Sequence, residues 1–300
     1  MSLEQTTNAQ EVVEPYQYQI EVQQGLPPTG GTYVLLPPVE SLGIKTEGGI
    51  VDVSQIGPED LLSLIDDLET FETIWKFKVT DATYAMIKRA INAANAVTPT
   101  GTVSESMTIL FAFLLNSAKK YVVFKGSRIK DISGAIALGK EHIFTVTMIH
   151  TDITIPATGH GLGGTPTILT AFPTGEVWSW DKVVTPVSWG GVAQNCTEFN
   201  FTVNRNAKAN HIIGQTKPYN AKTHGRRIGG DFSTLYTNVS LETDSRAPKT
   251  ARTLIVVLKT SFSLTFLSTK ISYSKEDLAS EGDADAIEKC TFKSISANLP

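Results

Sequence analysis

Residues 120–153 and 263–295 carry the same succession of strand-like segments, and that repetition limits the chain to folds built from two copies of one β-rich unit. In the first stretch, Tyr121-Val122-Val123-Phe124 reaches a Lys125-Gly126 break. Ser127 to Ile132 follows, and Leu138-Gly139-Lys140 turns into Ile143 to Met148. In the second, Ser263 to Phe266 passes through Leu267-Ser268 into Thr269 to Tyr273, and after an acidic insert the chain closes with Ala286 to Ile295. Each stretch ends a block of similar length. A chain of 300 residues holds about two domains at a prior of about 150 residues each. The expected organisation is therefore an extended N-terminal arm over residues 1–29, a first β domain over 30–156, a Gly/Pro-rich linker over 157–175 and a second β domain over 176–300.

The remaining segments fit one order in both halves. Val39 to Ser54 reads as two short strands, and Gly57-Pro58-Glu59-Asp60 as a helix start with Leu61, Leu62, Ile65 and Leu68 on one helical face. Phe71 to Thr80 alternates apolar and polar residues, the pattern of a half-buried strand. Thr80 or Asp81 is the expected cap of a helix over Ala82 to Ala94, and Met107 to Leu115 is an almost wholly apolar strand. In the second half, Thr197 to Asn204 alternates, Asn204 to Thr223 is a long polar segment, Arg226 to Thr237 matches Phe71 to Thr80, and Thr253 to Leu258 matches Met107 to Leu115. The arm alternates at Tyr16, Tyr18 and Ile20 and reads as extended with an edge strand as one option; with few apolar groups to bury on its own chain, it is expected to stay mobile or to dock on a neighbour. The fold class is mainly β with few short helices, a β-sandwich or β-barrel plus α-helix.

Chemistry is sparse. Net charge is −4, which argues against a nucleic-acid grip built from phosphate neutralisation. The first residues lack the basic start and apolar core of a signal peptide, and the apolar run Ile109 to Leu115 is far short of the ~20 residues of a membrane span. Cys196 and Cys290 read as buried free thiols rather than a disulfide. The five histidines show no metal-ligand spacing. His150 and Asp152 share a strand face, yet no nucleophile elbow accompanies them. Residues 159–164 read as a flexible linker rather than a phosphate loop, and the acidic turn 277–285 lacks calcium spacing. Lys222 to Arg227 reads as a salt-bridged contact, and Trp178, Trp180 and Trp189 as core or subunit packing rather than a sugar platform. No enzyme activity, catalytic residue, cofactor or metal is expected.

The strand Glu198-Phe199-Asn200-Phe201-Thr202-Val203-Asn204, the polar loop, Gly225 to Tyr236, the apolar strand Thr253 to Leu258, Ser263 to Tyr273 and Cys290 to Ala297 together resemble the tail tube proteins of long-tailed bacteriophages. The first half shows the same order more loosely, best in Lys120 to Ile153. The resemblance implies a structural virion protein of the tail, assembled in the host cytoplasm, that forms stacked rings and a conduit for viral DNA during ejection. The common member of this family is a single domain, so two tail-tube-like domains per chain imply a trimeric ring with pseudo-six-fold symmetry. Implied partners are further copies of the chain, the tape-measure protein, the tail terminator and distal tail proteins, and viral DNA that passes without sequence-specific binding; no membrane is implied.

On this reading the candidate lumen-facing residues are Glu198, Asn200, Thr202 and Asn204 with Glu72, Lys76 and Lys78. A lumen poor in cations lets phosphates slide, so Lys76 and Lys78 fit only if acids across the strands pair with them. Candidate inter-ring contacts are Tyr16, Tyr18, Ile20, Arg226 and Arg227, with the loops 55–69 and 204–224. Competing readings are the inner tube of a phage-like injection system, a two-domain β-sandwich adhesin that binds ligand through its Trp cluster, and an enzyme using His150 and Asp152.

Overall fold

The computed structural model describes residues 12–21, 23–47, 50–54, 61–66, 68–92, 106–115, 117–180, 187–213, 215–223, 225–235, 240–246, 248–259, 262–275 and 287–300. The expected helix start at Gly57, the break at Thr98 to Gly101, and the acidic insert after Lys275 lie outside them.

The first half comprises β1 (Val12–Ile20), β2 (Val34–Leu35), β3 (Val39–Glu47), β4 (Ile50–Ser54), β5 (Leu61–Asp66), β6 (Thr70–Lys78), α1 (Ala85–Ile91), β7 (Met107–Leu115), β8 (Ala118–Ala137), β9 (Ile143–His150) and β10 (Asp152–Thr154). The second comprises β11 (Val187–Trp189), β12 (Val192–Gln194), β13 (Cys196–Asn204), β14 (Lys208–Asn210), β15 (Asn220–Lys222), β16 (Arg227–Leu235), α2 (Ser240–Ser245), β17 (Arg252–Lys259), β18 (Phe262–Lys275), β19 (Ile287–Ser294) and β20 (Ser296–Asn298). The fold is mainly β and every pairing of named strands is antiparallel.

The architecture rests on one broad sheet in the order β3-β6-β9-β8-β13-β16-β19-β18, crossing from the first half to the second where β8 pairs with β13. Behind it stand two smaller flaps. In the first, β2, β1, β7, the start of β8 and β10 are neighbours; in the second, β12, β11, β17, the start of β18 and β20.

β8 and β18 each belong to both layers, because each is a single long strand with a kink. The sequence expected separate strands either side of Lys125-Gly126; instead Gly126 takes φ 60° and the strand runs on. A Cβ there would sit 2.3 Å from Thr151 Oγ1, so glycine is required by both backbone and space. Ser268 makes the matching bend at φ 50°. Just past each bend a hydroxyl donates back three residues, from Ser127 Oγ to Phe124 O at 3.4 Å and from Thr269 Oγ1 to Phe266 O at 3.2 Å.

The core lies between broad sheet and flaps. The alternation in β6 puts Phe71, Thr73, Trp75 and Phe77 inward, and that in β13 puts Phe199, Phe201 and Val203 inward, all buried. One apolar cluster continues across both halves, from Trp75 and Phe144 to Phe201, Phe266 and Phe292. α1 buries Met86, Ile87, Ala90 and Ile91 against it.

Three further expectations are corrected. Leu61–Asp66 is strand β5, paired with β4 from Ile50↔Asp66 to Ser54↔Leu61, and not a helix. Six residues are too few for apolar spacing to separate the two periods, and the β-branched run Ile50, Val51, Val53 supplies a partner strand. α1 begins at Ala85 rather than Ala82 and has no side-chain cap, because Thr80 bonds within a turn to Thr83, and Asp81 accepts from Trp178 Nε1 at 2.7 Å and Lys259 Nζ at 2.9 Å. Residues 12–20 of the arm dock on their own chain as β1, paired with β7 and β2. Tyr18 is buried there, and the Gln17 side-chain amide exchanges hydrogen bonds with the backbone of Leu169.

Candidate functional site: the polar face of the broad sheet and its two edges

The face of the broad sheet turned away from the core is polar, and cross-strand rows can be followed along it through both halves. One row runs Ser41, Lys76, Thr145, Ser133, Thr202, Gly229, Lys293, Lys270 from β3 to β18. The next runs Lys78, Ile143, Ala135, Asn200, Asp231, Thr291, Ser272. All seven candidate lumen-facing residues, Glu72, Lys76, Lys78, Glu198, Asn200, Thr202 and Asn204, lie on this one face because strand residues of equal parity share a side.

Part of its charge is engaged, and among the described residues Lys76 has no acid paired with it. Lys78 Nζ is 2.6 Å from Glu141, supplying the acid that a cation-poor surface calls for, and Lys130 Nζ is 2.5 Å from Glu72. Asn200 donates to Glu198 at 3.1 Å and to Asp231 at 3.1 Å. Asp131 accepts from Thr147 Oγ1 at 2.8 Å, and burial holds its carboxyl above the usual carboxylate range. Sequence reasoning missed part of this face. Arg227, Lys270, Lys289 and Lys293 share it, so the second half is not cation-free. Only the β16–β19–β18 register assigns them, although the alternation Lys289, Thr291, Lys293 in β19 carried the signal.

Two edges of the broad sheet have no paired strand among the described residues: the side of β3 away from β6, and the side of β18 at Ser272 to Lys275 away from β19, where α2 lies near β18 and Lys249 Nζ donates to Ser272 Oγ. An open edge exposes a row of N–H and C=O groups and is a template for another strand.

Two hairpins leave the same end of the sheet. β4–β5 joins β3 to β6, and β14–β15 joins β13 to β16. The second packs Ala207 and Ala221 on Ile149 and reaches back to β6, where Glu69 N donates to Thr216 O at 2.9 Å. Its tip presents Ile212, Tyr219 and a fully exposed Ile213 to solvent.

The candidate contact residues are placed as follows. Tyr18 is in the core and Tyr16 and Ile20 pack against it. Arg226 Nη1 donates to Ile91 O at 2.8 Å and, more weakly, to Ala297 O at 3.5 Å. Arg227 is exposed at the hairpin end of β16. His150 is fully buried between Thr73 Oγ1 at 2.6 Å and Ser127 Oγ at 2.7 Å, and desolvation pushes its pKa down to about 3. Asp152 instead pairs with Lys217 at 2.8 Å, so the two residues do not form a reactive pair. Trp178, Trp180 and Trp189 are buried, their indole N–H groups bonded to Asp81, Val257 O and Asp244. Cys196 and Cys290 are buried free thiols, and burial pushes the Cys196 thiol up to about 12.

No curated protein matches this chain. The sequence profile of a family described as phage tail tube protein matches residues 40–297, a span that contains the broad sheet except for the first residue of β3, with both open edges and both hairpins. The chain therefore belongs to the phage tail tube protein family, whose members are structural components of the virion tail that assemble into a tube.

Proposed function

We propose that three chains close into a ring in which their broad sheets join as one barrel, that rings stack into the tail tube, and that viral DNA travels through the barrel during ejection. Each half of the chain then acts as one tail-tube-like unit, giving pseudo-six-fold symmetry. The observation that carries this reading is a single eight-stranded antiparallel sheet with one buried face, one polar face and an open strand at each side. Because strand direction alternates along an even number of strands, β18 of one chain meets β3 of the next antiparallel, and no pairing type changes at the joint. Head-to-tail contacts of this kind close when the rotation closes.

The dimensions agree. Twenty-four strands at about 4.8 Å spacing, tilted as in barrels, give a circle on the order of 50 Å across between backbones, which leaves a water-filled channel wide enough for a DNA duplex. The pairing of Lys78 with Glu141 and of Lys130 with Glu72 lowers the grip of the first half on phosphate, while Arg227, Lys270 and Lys293 leave a modest cationic strip in the second. The hairpins β4–β5 and β14–β15, with Arg227 beside the second, face the next ring, and the exposed Ile212, Ile213 and Tyr219 supply apolar area for stacking. The tape-measure protein occupies the channel before ejection, the terminator and distal tail proteins meet the tube's ends, and assembly takes place in the host cytoplasm.

Negative-stain electron microscopy of the purified chain tests this. End-on views with a central hole and three-fold or pseudo-six-fold symmetry are expected. Compact particles without a hole at every concentration would rule the ring out.

A further inference from the structure

The two halves match in register, not only in element order. β3 with β6 and β13 with β16 have connections of equal length, from Glu47↔Thr70 and from Asn204↔Arg227. Both pairs carry a bulge at the same place, between Val39 and Ser41 in one and Cys196 and Glu198 in the other. β7–β8 and β17–β18 are likewise shifted at equivalent points, between Met107 and Ile109 and between Arg252 and Leu254. The kinks at Gly126 and Ser268, each followed by its back-bonded hydroxyl, fix the equivalence of β8 with β18: Ile129, opposite Met148, corresponds to Ile271, opposite Phe292. β8 has an irregularity between Ile129 and Asp131 that β18 lacks, so Ile132 corresponds to Tyr273.

Inside the chain, the edge that β18 leaves open is filled in its counterpart: β8 pairs there with β13, Ile132 opposite Val203 and Ser133 opposite Thr202. The counterpart of Val203 is Thr46 in β3, the other open strand.

We infer that the joint between neighbouring chains copies the joint inside the chain, so that β18 pairs with β3 of the next chain in the register Tyr273 opposite Thr46 and Ser274 opposite Lys45. This rests on the ring reading above and adds which residues meet. The face parity is consistent: Tyr273 and Thr46 both fall on the core side, and Ser272 and Lys45 on polar rows. The two joints differ in one respect. Immediately after β13, Arg205 donates from Nη2 to the carbonyls of Arg89 at 2.7 Å and of Asn92, clamping the end of α1 across the internal joint. The position after β3 is Gly48, which has no such group. The joint between chains is the weaker one, and rings come apart into intact chains before the chains unfold.

Cysteine trapping tests the register. Thr46→Cys with Tyr273→Cys in one chain, and separately Lys45→Cys with Ser274→Cys, are oxidised mildly and run on a non-reducing denaturing gel. The parent, with its two buried cysteines, is the control. Both pairs are expected to give covalent ladders that stop at three chains, whereas Ile44→Cys with Tyr273→Cys, displaced by two residues on the same face, gives none. Cross-linking by the displaced pair in place of the other two overturns the register. Microscopy that still shows rings while neither pair cross-links overturns the joint and leaves the ring standing. A parent that forms no rings, with no cross-links, overturns both.

Discussion

Gly134 lies in a cross-strand row that alternates large and absent side chains: Phe144, Gly134, Phe201, Gly230, Phe292. A Cβ on Gly134 would stand 2.2 Å from Phe201 Cε1, and one on Gly230 2.0 Å from Asn200 O. Phe201 therefore fills the space of two strands at the joint between the halves, and the glycines are packing residues. Gly134→Ala forces the Phe201 ring aside and is expected to cost on the order of 2 kcal/mol, read as a lower urea midpoint with unchanged slope. Ala135→Ser, one residue on and facing solvent, leaves the midpoint where it was. His150 gives a pH signature at the same scale. Its folded pKa of about 3 lies below the ordinary 6.5, so between those values the unfolded chain takes up a proton that the folded chain refuses. Stability from this group is complete above about pH 6.5 and falls by roughly 1.4 kcal/mol per pH unit down to about pH 3. Asp131, raised by burial, works in the opposite direction near its own range. Denaturation midpoints measured from pH 7 to pH 4 are expected to fall less steeply in His150→Gln, and equal slopes would refute the assignment.

At the scale of elements, sequence patterns were informative where one strand has one wet and one dry face. β6 and β13 show clean alternation, and their inward aromatic residues are the core residues of the structure. The repeat was legible for the same reason, since turn residues and alternation recur in order. The pairing of β8 with β13 was not, because strand neighbours far apart in sequence leave no local mark, and β5 was too short to reveal its period. The kink in β8 was visible as Lys125-Gly126 and misread as an end, because a glycine with positive φ bends a strand or stops it and sequence does not say which. Gly126→Ala is accordingly expected to destabilise by about 2 kcal/mol or more, through the backbone and the clash with Thr151. Gly139→Ala in the β8–β9 turn, also at positive φ but in open space, costs only the backbone part, about 1 kcal/mol. Thermal midpoints that rank the two in the reverse order would remove the argument. The β14–β15 hairpin yields an assembly prediction. Ile213→Asp adds charge at a fully exposed tip, so circular dichroism and melting stay as in the parent while stacking of rings into tubes, counted by microscopy, is lost.

For the molecule as a whole, the question is whether the halves behave as separate folding units. Equal element order invites that expectation, but the contacts oppose it. β8 and β13 pair over seven residues, from Glu198↔Ala137 to Asn204↔Asp131. The aromatic cluster passes through the joint, with Phe144 and Phe201 edge-to-face at 6.2 Å. Asn92 and Leu299 exchange two hydrogen bonds, at 2.9 and 2.7 Å, tying the end of α1 to the chain's last residues. Cutting the chain at the linker opens a strand edge on both pieces, uncovers aromatic surface and leaves the buried glycine–phenylalanine row half formed. Exposed area of that kind costs about 25 cal/mol per Å², enough to outweigh the marginal stability of a small β domain. The full chain is therefore expected to unfold in one calorimetric transition whose van't Hoff and calorimetric enthalpies agree, under conditions where rings have already dissociated. Fragments 1–175 and 176–300, expressed apart, are expected to be aggregation-prone and to regain native circular dichroism only when mixed. Two resolved transitions, or a fragment that melts cooperatively alone, would show that the joint is a contact between finished domains rather than part of a shared core. On the proposed ring, a chain built as one unit would keep its internal joint closed while the weaker joints between chains open and close, and that ordering would let the ring assemble from whole subunits without passing through half-folded ones.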